Sequence, residues 1–495
     1  MQMFTPVPAG TTKRDDMSRR HCPESSAETV VTKTLSRALP AVVALVLSSP
    51  AMASNLQYGP LQLSGFLKEE FSMCDNCARE FVNPSPYDPR GVLIPVSPTP
   101  PLNQGGRSRY TSSNLGLAML TAKLSHQFDN AIGIEAVATG RERNNGPDIP
   151  GLYLINEYLG ISYPRYGSLH VGVMTSRAWT RADSFAYRLG LSDPWADSGA
   201  GYGVFKEAIR YTAPVIYFPT GKLTLELTYA TAGRQYPLNY KSLLKTVTPA
   251  NYHYFYLPPK PQLIEFFAQY STRRNLIELT YQQSEGGLQS SFPKGAFVGS
   301  IGSPNTTATA APGYRAPTET LVMIEGNFWP VPQWRITYGL KRNEWSGQQQ
   351  QCDYGTATTP SGSLFTGCFW DQAGFNYASD GLRHHAIEYD ALAGVAYTRG
   401  LWTFTFGGVY MAKSATHSPT EWGQSNSATF LNLGVYHKFN GALRHFEVYA
   451  GLERIIFSRQ GPAPLSMPSN IADGGVDPRT SQSGDTLTIG ANLTF

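Results

Sequence analysis

Thr486–Phe495, TLTIGANLTF, closes the chain and decides how the rest of it is read. Leu487, Ile489, Ala491, Leu493 and Phe495 fall on one side of an extended strand, and Thr488, Gly490, Asn492 and Thr494 on the other. Period-two alternation marks a strand with one apolar and one polar face. A single such strand is weak evidence, because any half-buried antiparallel strand alternates. The same dyad recurs upstream, however: Leu223, Leu225, Leu227 and Tyr229; Ile277, Leu279 and Tyr281; Trp402, Phe404, Phe406 and Tyr410; Leu431, Leu433 and Val435. Each stretch runs for about ten residues, the length a tilted strand needs to cross the hydrocarbon. Many strands sharing that dyad point to a lipid-spanning barrel.

Sixteen such segments can be read, near 60–74, 113–128, 131–142, 152–163, 167–175, 204–214, 221–231, 262–272, 274–284, 319–329, 333–345, 383–397, 401–413, 427–439, 443–458 and 484–495. Every second junction is short: Asp129-Asn130, Pro164–Tyr166, Pro219-Thr220, Ser271–Arg273, Pro330–Pro332, Thr398–Gly400 and Asn440-Gly441. The junctions between are mostly long and rich in Gly, Pro, Ser and Asn. Short turns at one end and long loops at the other suit a barrel in an outer membrane, with the short turns toward the periplasm. The expected fold class is therefore all-β, a transmembrane antiparallel barrel of sixteen strands, with eighteen as the alternative count. Pairing the first strand with the last leaves no edge unsatisfied in lipid.

Lys33 and Arg37 precede the apolar run Ala38–Leu47, and Ser48–Ala53 follows it with small residues. That is the layout of a secretory signal peptide, with cleavage expected after Ala53 and Met17 an alternative start. Residues 1–53 are set aside as leader, leaving 54–495 as one barrel domain. Removing the leader's six Lys/Arg and four Asp/Glu from totals of 40 and 36 leaves a formal charge of about +2, which argues against a nucleic-acid binder. No later run of about 18 apolar residues occurs, so no transmembrane helix is expected. Tyr and Phe, at 28 and 24, suffice for aromatic girdles.

Four cysteines follow the leader: Cys74, Cys77, Cys352 and Cys368. An even number in an oxidising compartment suggests two local disulfides. Cys74 and Cys77 also have the spacing of a redox or zinc motif. With no second CxxC or nearby His, a small disulfide loop at a strand tip is the simpler reading. Cys352 and Cys368 share one Gly/Thr/Ser-rich segment and read as a loop staple.

Three stretches resemble the trimeric general porins of Gram-negative bacteria. They are Ser64–Lys68 (SGFLK), the pair Asn156–Ser162 (NEYLGIS) and Tyr166–Gly172 (YGSLHVG), and Ala208–Pro214 (AIRYTAP). The terminal Phe495 is similar to the assembly signal of outer-membrane proteins. Departures exist: Gly172-Val173 stands where the family usually has Gly-Arg, several loops are longer, and cysteines are unusual there. The resemblance implies a homotrimer in outer-membrane lipid and a third loop, Met174 to Tyr202, folded inward against the wall. That loop carries Arg177, Arg181, Asp183, Arg188, Asp193 and Asp197, with Trp179, Phe185, Tyr187 and Trp195 as packing anchors.

Opposed charges at a constriction filter solutes by size and sign. Strand parity places Lys68, Glu70, Lys123, Glu135, Arg141 and Arg210 on the pore wall, and Glu226, Glu278, Arg335, Glu388, Asp390 and Glu447 further round. Arg177, Arg181 and Arg210 together would favour anions. Glu69 and Glu157 fall on the lipid-facing parity, where charge is costly; a subunit interface or a local register break would each account for them.

Catalysis would need a nucleophile, a base and an orienting group within reach. None of the eight histidines after residue 53 sits in a motif such as Gly-x-Ser-x-Gly or His-Glu-x-x-His. The expectation is a channel with no cofactor, no metal and no covalent step, passing small hydrophilic solutes down their gradient. A substrate-specific channel for an oligosaccharide or anionic solute is the alternative, followed by a surface adhesin or a barrel enzyme.

Overall fold

The computed structural model describes residues 56–75, 110–143, 151–234, 262–285, 318–346, 352–358, 364–370, 385–415, 426–459, 464, 466–467 and 481–495. The expected leader 1–53 and Cys77 lie outside them.

Alternating sequence becomes alternating structure. The spanning strands begin with β1 (Leu61–Asp75), β2 (Tyr110–Gln127), β3 (Gly133–Arg143), β4 (Gly151–Tyr163), β5 (Gly167–Thr175) and β6 (Val204–Thr212). Next come β7 (Gly221–Arg234), β8 (Gln262–Ser271), β9 (Asn275–Glu285), β10 (Thr318–Phe328) and β11 (Trp334–Ser346). The set ends with β12 (His385–Arg399), β13 (Trp402–Met411), β14 (Ala428–Lys438), β15 (Phe446–Phe457) and β16 (Ser483–Thr494). Between β5 and β6 lie α1 (Arg177–Ala186), a 3-10 turn (Tyr187–Leu189) and α2 (Ser192–Ala196).

Each strand pairs antiparallel with the next, and β1 pairs with β16 from Phe66 opposite Thr494 to Cys74 opposite Thr486. The sheet is thus a closed barrel of sixteen strands. Phe495 adds two backbone hydrogen bonds to Gly65, of 2.8 and 3.0 Å, and its ring is buried against that glycine rather than exposed like Leu487 and Ile489.

The count of eighteen has a physical origin. Two further segments join the same sheet without spanning it: Leu56–Tyr58 folds back on the start of β1, and Ile216–Phe218 continues β6 along β7. The segment expected as 204–214 therefore ends at Thr212. Pro214 has no N–H to give to the ladder, and the strand resumes only beyond it.

One ladder was not expected. Cys352–Thr358 pairs with Leu364–Trp370 inside the long β11–β12 connection. Cys352 stands opposite Trp370 and Cys368 opposite Tyr354, so the two cysteines are diagonal across it. Cys74 is disulfide-bonded. Among the described residues, no group of three His, Cys, Asp or Glu is placed to hold a metal.

The barrel is apolar outside and charged inside. Leu159, Ile161, Phe406 and Ile489 are 68%, 51%, 53% and 56% exposed, whereas Glu265, Glu278, Glu325, Glu388 and Asp390 are at most 1% exposed. A protein surrounded by water has the opposite distribution; lipid outside and a polar lumen account for this one. Glu69 and Glu157 lie exposed on the outer face. A register break does occur nearby, between Thr139 and Gly140 of β3, where Ile155 is the extra β4 residue. Glu157 lies beyond it and still points outward beside Leu159.

Candidate functional site

The third loop leaves a deliberately irregular wall. A bulge interrupts β5–β6 pairing between Gly172 and Met174, with Gly172 at φ +143° and Glu207 at φ +52°. A Cβ at Gly172 would sit 2.2 Å from the Glu157 carbonyl oxygen, so only glycine fits there. The loop then starts a helix: the Ser176 hydroxyl accepts from the Trp179 amide at 3.0 Å, a regular N-cap. Ala178, Ala182, Phe185 and Ala186 form its buried stripe.

Both roots of the loop are fastened to one buried cluster. The Glu265 carboxylate of β8 accepts from the amides of Arg177 (2.9 Å) and Ala178 (3.2 Å) and from Gln282 Nε2 (3.0 Å). Gln282 Oε1 in turn accepts from the Tyr202 amide at 2.5 Å, where the loop returns. Arg210 donates to Thr228 Oγ1 (2.8 Å) and the Thr175 carbonyl (2.9 Å), and lies 3.5 Å from Glu265. The Arg177 side chain forks onto Glu226 at 2.5 and 2.7 Å.

From there the loop runs along the inner wall and back. Arg181 pairs with Glu278 of β9, and Arg188 with Glu447 of β15. Leu189, at the tip, sits on Gly394 of β12 and Gly407 of β13; a Cβ on Gly394 would lie 2.4 Å from its Cδ1. On the return, Trp195 Nε1 donates to Glu325 at 2.9 Å, while Lys341 donates to the Trp195 carbonyl with its ammonium 4.4 Å from the indole centroid. The Ala200 amide donates to Asn343 Oδ1 at 3.0 Å.

A second segment meets the loop. From the β15–β16 connection, the Ser466 carbonyl accepts from the Gly199 amide at 3.1 Å, and the Ser466 hydroxyl donates to Glu388 (2.5 Å) and Asp390 (3.0 Å). Met467 joins the apolar cluster around Leu189, Trp195 and Met323.

The wall of β1–β5 is different. Lys68 pairs with Glu70 at 2.7 Å, and Glu135 accepts from Lys123 (2.5 Å) and His170 (2.9 Å). Arg141 lies 5.5 Å from the Trp179 ring, whose Nε1 donates to Asp197 at 2.7 Å. Lys68 lies 5.5 Å from the Tyr187 ring. Within the loop, burial raises the Asp183 and Tyr187 pKa values above their ordinary ranges. Burial also pushes Asp197 up to about 8, helped by Asp193 and Asp183 and opposed by Arg141.

Lys68, Glu70, Lys123, Glu135, Arg141 and Arg210 all carry inward parity. Arg177, Arg181 and Arg210 lie on one arc, and three carboxylates (Glu226, Glu265 and Glu278) face them, so that arc holds no excess of positive charge. Asp193 is exposed, and Asp183 and Asp197 are half-buried. Sequence reasoning missed Glu265, although Leu263, Glu265, Phe267 and Gln269 share one strand parity that would have found it. It also missed Lys341, Asn343 and Ser466. Nothing periodic surrounds Ser466, so no local signal existed there.

No protein-family description matches this chain, and no curated protein does. Solved structures do. An anion-selective porin from Comamonas acidovorans superposes with a TM-score of 0.50 at 10% identity, covering 88% of this chain and 99% of that one. OmpT, an outer-membrane protein of Vibrio cholerae, gives 0.49 at 13% identity, over 89% and 100%. Salmonella typhi OmpF in complex with daunomycin gives 0.48 at 9% identity, over 89% and 100%. At such identities the likeness concerns fold alone. The fold is that of Gram-negative outer-membrane porins, and with its apolar exterior it makes the chain an integral barrel of that membrane.

Proposed function

We propose that this chain is a diffusion porin, a water-filled channel through which small hydrophilic solutes and ions cross the outer membrane down their gradients. The observation that supports this most is the fastening of the third loop to charged groups on the inner wall, centred on Glu265. Apolar packing alone would not hold a segment in a wet lumen at one height. Paired, buried charges do so because each loses several kcal/mol if its partner leaves, about 3–5. Filtering at the loop is steric and electrostatic, with no covalent chemistry and no cofactor. The leader 1–53 directs export.

The working form is a homotrimer. Glu69 stands opposite Gly116 and Ala491, and Glu157 opposite Ala138 and Val173. Small neighbours and an outward carboxylate suit a face covered by another copy better than one bathed in hydrocarbon.

Planar-bilayer recording tests the reading. Open steps arriving in threes, with a reversal potential in a salt gradient, are expected. A folded, inserted protein that carries no current would sink it in favour of an adhesin or an enzyme.

A further inference from the structure

β15 and β16 are already hydrogen-bonded neighbours where the chain leaves one for the other. Ile456 stands opposite Ser483, and the Phe457 amide donates to the Gln482 carbonyl at 2.7 Å. Antiparallel neighbours can be joined by two residues, so closing this hairpin does not account for the chain between Phe457 and Gln482. Part of that chain serves the lumen. Ser466 is 0% exposed and Met467 4%. What covers them is β12 and the third loop. β12 is three strands from β15 in the sheet, about 14 Å along the wall.

Ser466 uses its amide, hydroxyl and carbonyl outside its own connection. The amide (3.2 Å) and the hydroxyl (2.5 Å) both meet Glu388 Oε1, and the hydroxyl oxygen lies 3.0 Å from Asp390 Oδ1. The carbonyl accepts from the Gly199 amide at 3.1 Å. Gly199 holds φ +96°, and a Cβ there would lie 2.4 Å from Asn343 Oδ1, so only glycine presents its amide this way.

The same wall groups hold the loop's return limb, Trp195–Ala200. Asn343 donates to Asp390 Oδ2 at 2.7 Å and accepts from the Ala200 amide at 3.0 Å. Lys341, opposite Asp390, reaches the carbonyls of Trp195 and Ser198. Met467 packs in one apolar cluster with Leu189, Trp195 and Leu392.

The two limbs of the third loop are therefore held differently. Wall acids fasten the outgoing limb through Arg177 and Arg181. The return limb is tied both to the wall and to a second connection. Withdrawing Ser466 takes donors from two buried carboxylates and an acceptor from Gly199, and withdrawing Met467 opens the apolar cluster.

We propose that Ser466 and Met467 are a latch: positioning residues that fix the return limb of the third loop, so that two loops rather than one set the size limit of the channel. The proposal rests on the porin reading and adds to it the element that controls the width.

Hydrogen exchange on the folded, detergent-solubilised protein, read by mass spectrometry, tests the latch. Conductance and liposome swelling with sugars of increasing size test its effect on the channel. In Ser466→Ala the Asp197–Tyr202 amides exchange about tenfold faster, the scale of one charge-assisted hydrogen bond, while those of β15 and β16 keep their rates. Conductance rises and larger sugars enter. Met467→Ala serves if that variant does not fold. Unchanged exchange over Asp197–Tyr202, or β15 and β16 quickening by the same factor, overturns the latch. Faster local exchange at unchanged conductance and sugar limit overturns its control of width. Faster local exchange in a protein that carries no current, with or without the substitution, keeps the latch and overturns the channel.

Discussion

Along β7–β10 the wall acids Glu226, Glu265, Glu278 and Glu325 are buried and each holds a piece of the third loop, whereas along β1–β5 Glu70 and Glu135 are partly exposed and pair with cations of the wall itself. Glu265 and Glu278 are 1% exposed. The side chains of Lys123 and Glu135 are 40% and 21% exposed at a separation of 2.5 Å. Both regions use carboxylates and basic side chains, so composition does not separate them. Dielectric does. A buried pair is costly to break and fixes position, while a wet pair is worth at most about 1 kcal/mol and stays free to respond to passing ions. One part of the lumen wall is scaffold, and in the proposed channel the other would be the surface that solutes meet.

Breaking the scaffold half should have the largest effect. Glu265→Ala leaves Arg210 without its acid and two helix amides without an acceptor, a loss of about 3–5 kcal/mol. Trypsin should then cut after Arg177 or Arg181 in folded protein, and single-channel conductance should rise; an uncut loop at unchanged conductance would mean that Glu265 is not the fastening point.

A steric break at the tip should be milder. Gly394→Val drives a side chain into Leu189, whose Cδ1 would lie 2.4 Å from the new Cβ, for about 1–3 kcal/mol. Conductance should rise with the loop roots still protected from trypsin. Adding Leu189→Ala should recover much of the loss, since the two sites touch.

The third test sharpens the comparison through pH. Asp197 is raised from an ordinary 3.8 to about 8, chiefly by burial. Its proton is retained in the folded state and lost from the unfolded chain between those values, so its effect on stability worsens as pH rises through that window and levels off above about 8. Ionisation adds a negative charge beside Asp183 and Asp193, with Arg141 the cation facing them. The reversal potential should move toward cation preference between pH 7 and 9, and Asp197→Asn should flatten that shift.

The smallest structural effect belongs to the transport half. Lys123→Ala should alter unfolding by less than about 1 kcal/mol, yet move the reversal potential toward cations. A large drop in stability instead would place that pair in the scaffold.

Strands were legible because their signal is local. Phe404 and Phe406 face outward and Thr405 inward whatever their partners are, and a two-residue period carries that through sixteen strands. The aromatic anchors Phe185 and Trp195 were legible for a similar reason: large apolar side chains in a polar segment need a surface to cover. Their seats were not. Gly394 and Gly339, which receive Leu189 and Trp195, look like ordinary strand glycines until the loop is laid on them.

Ion pairing was less legible still. Arg177, Arg181 and Arg210 stood out as three cations, but Glu226, Glu265 and Glu278 come to face them from as far as 97 positions along the chain. The sequence by itself determined which face of every strand meets lipid and which meets water, since side chains alternate along any extended backbone. Tertiary structure alone decided which charges are spent in holding the loop and which stay open to solute, because that depends on distance and dielectric created only when the barrel closes.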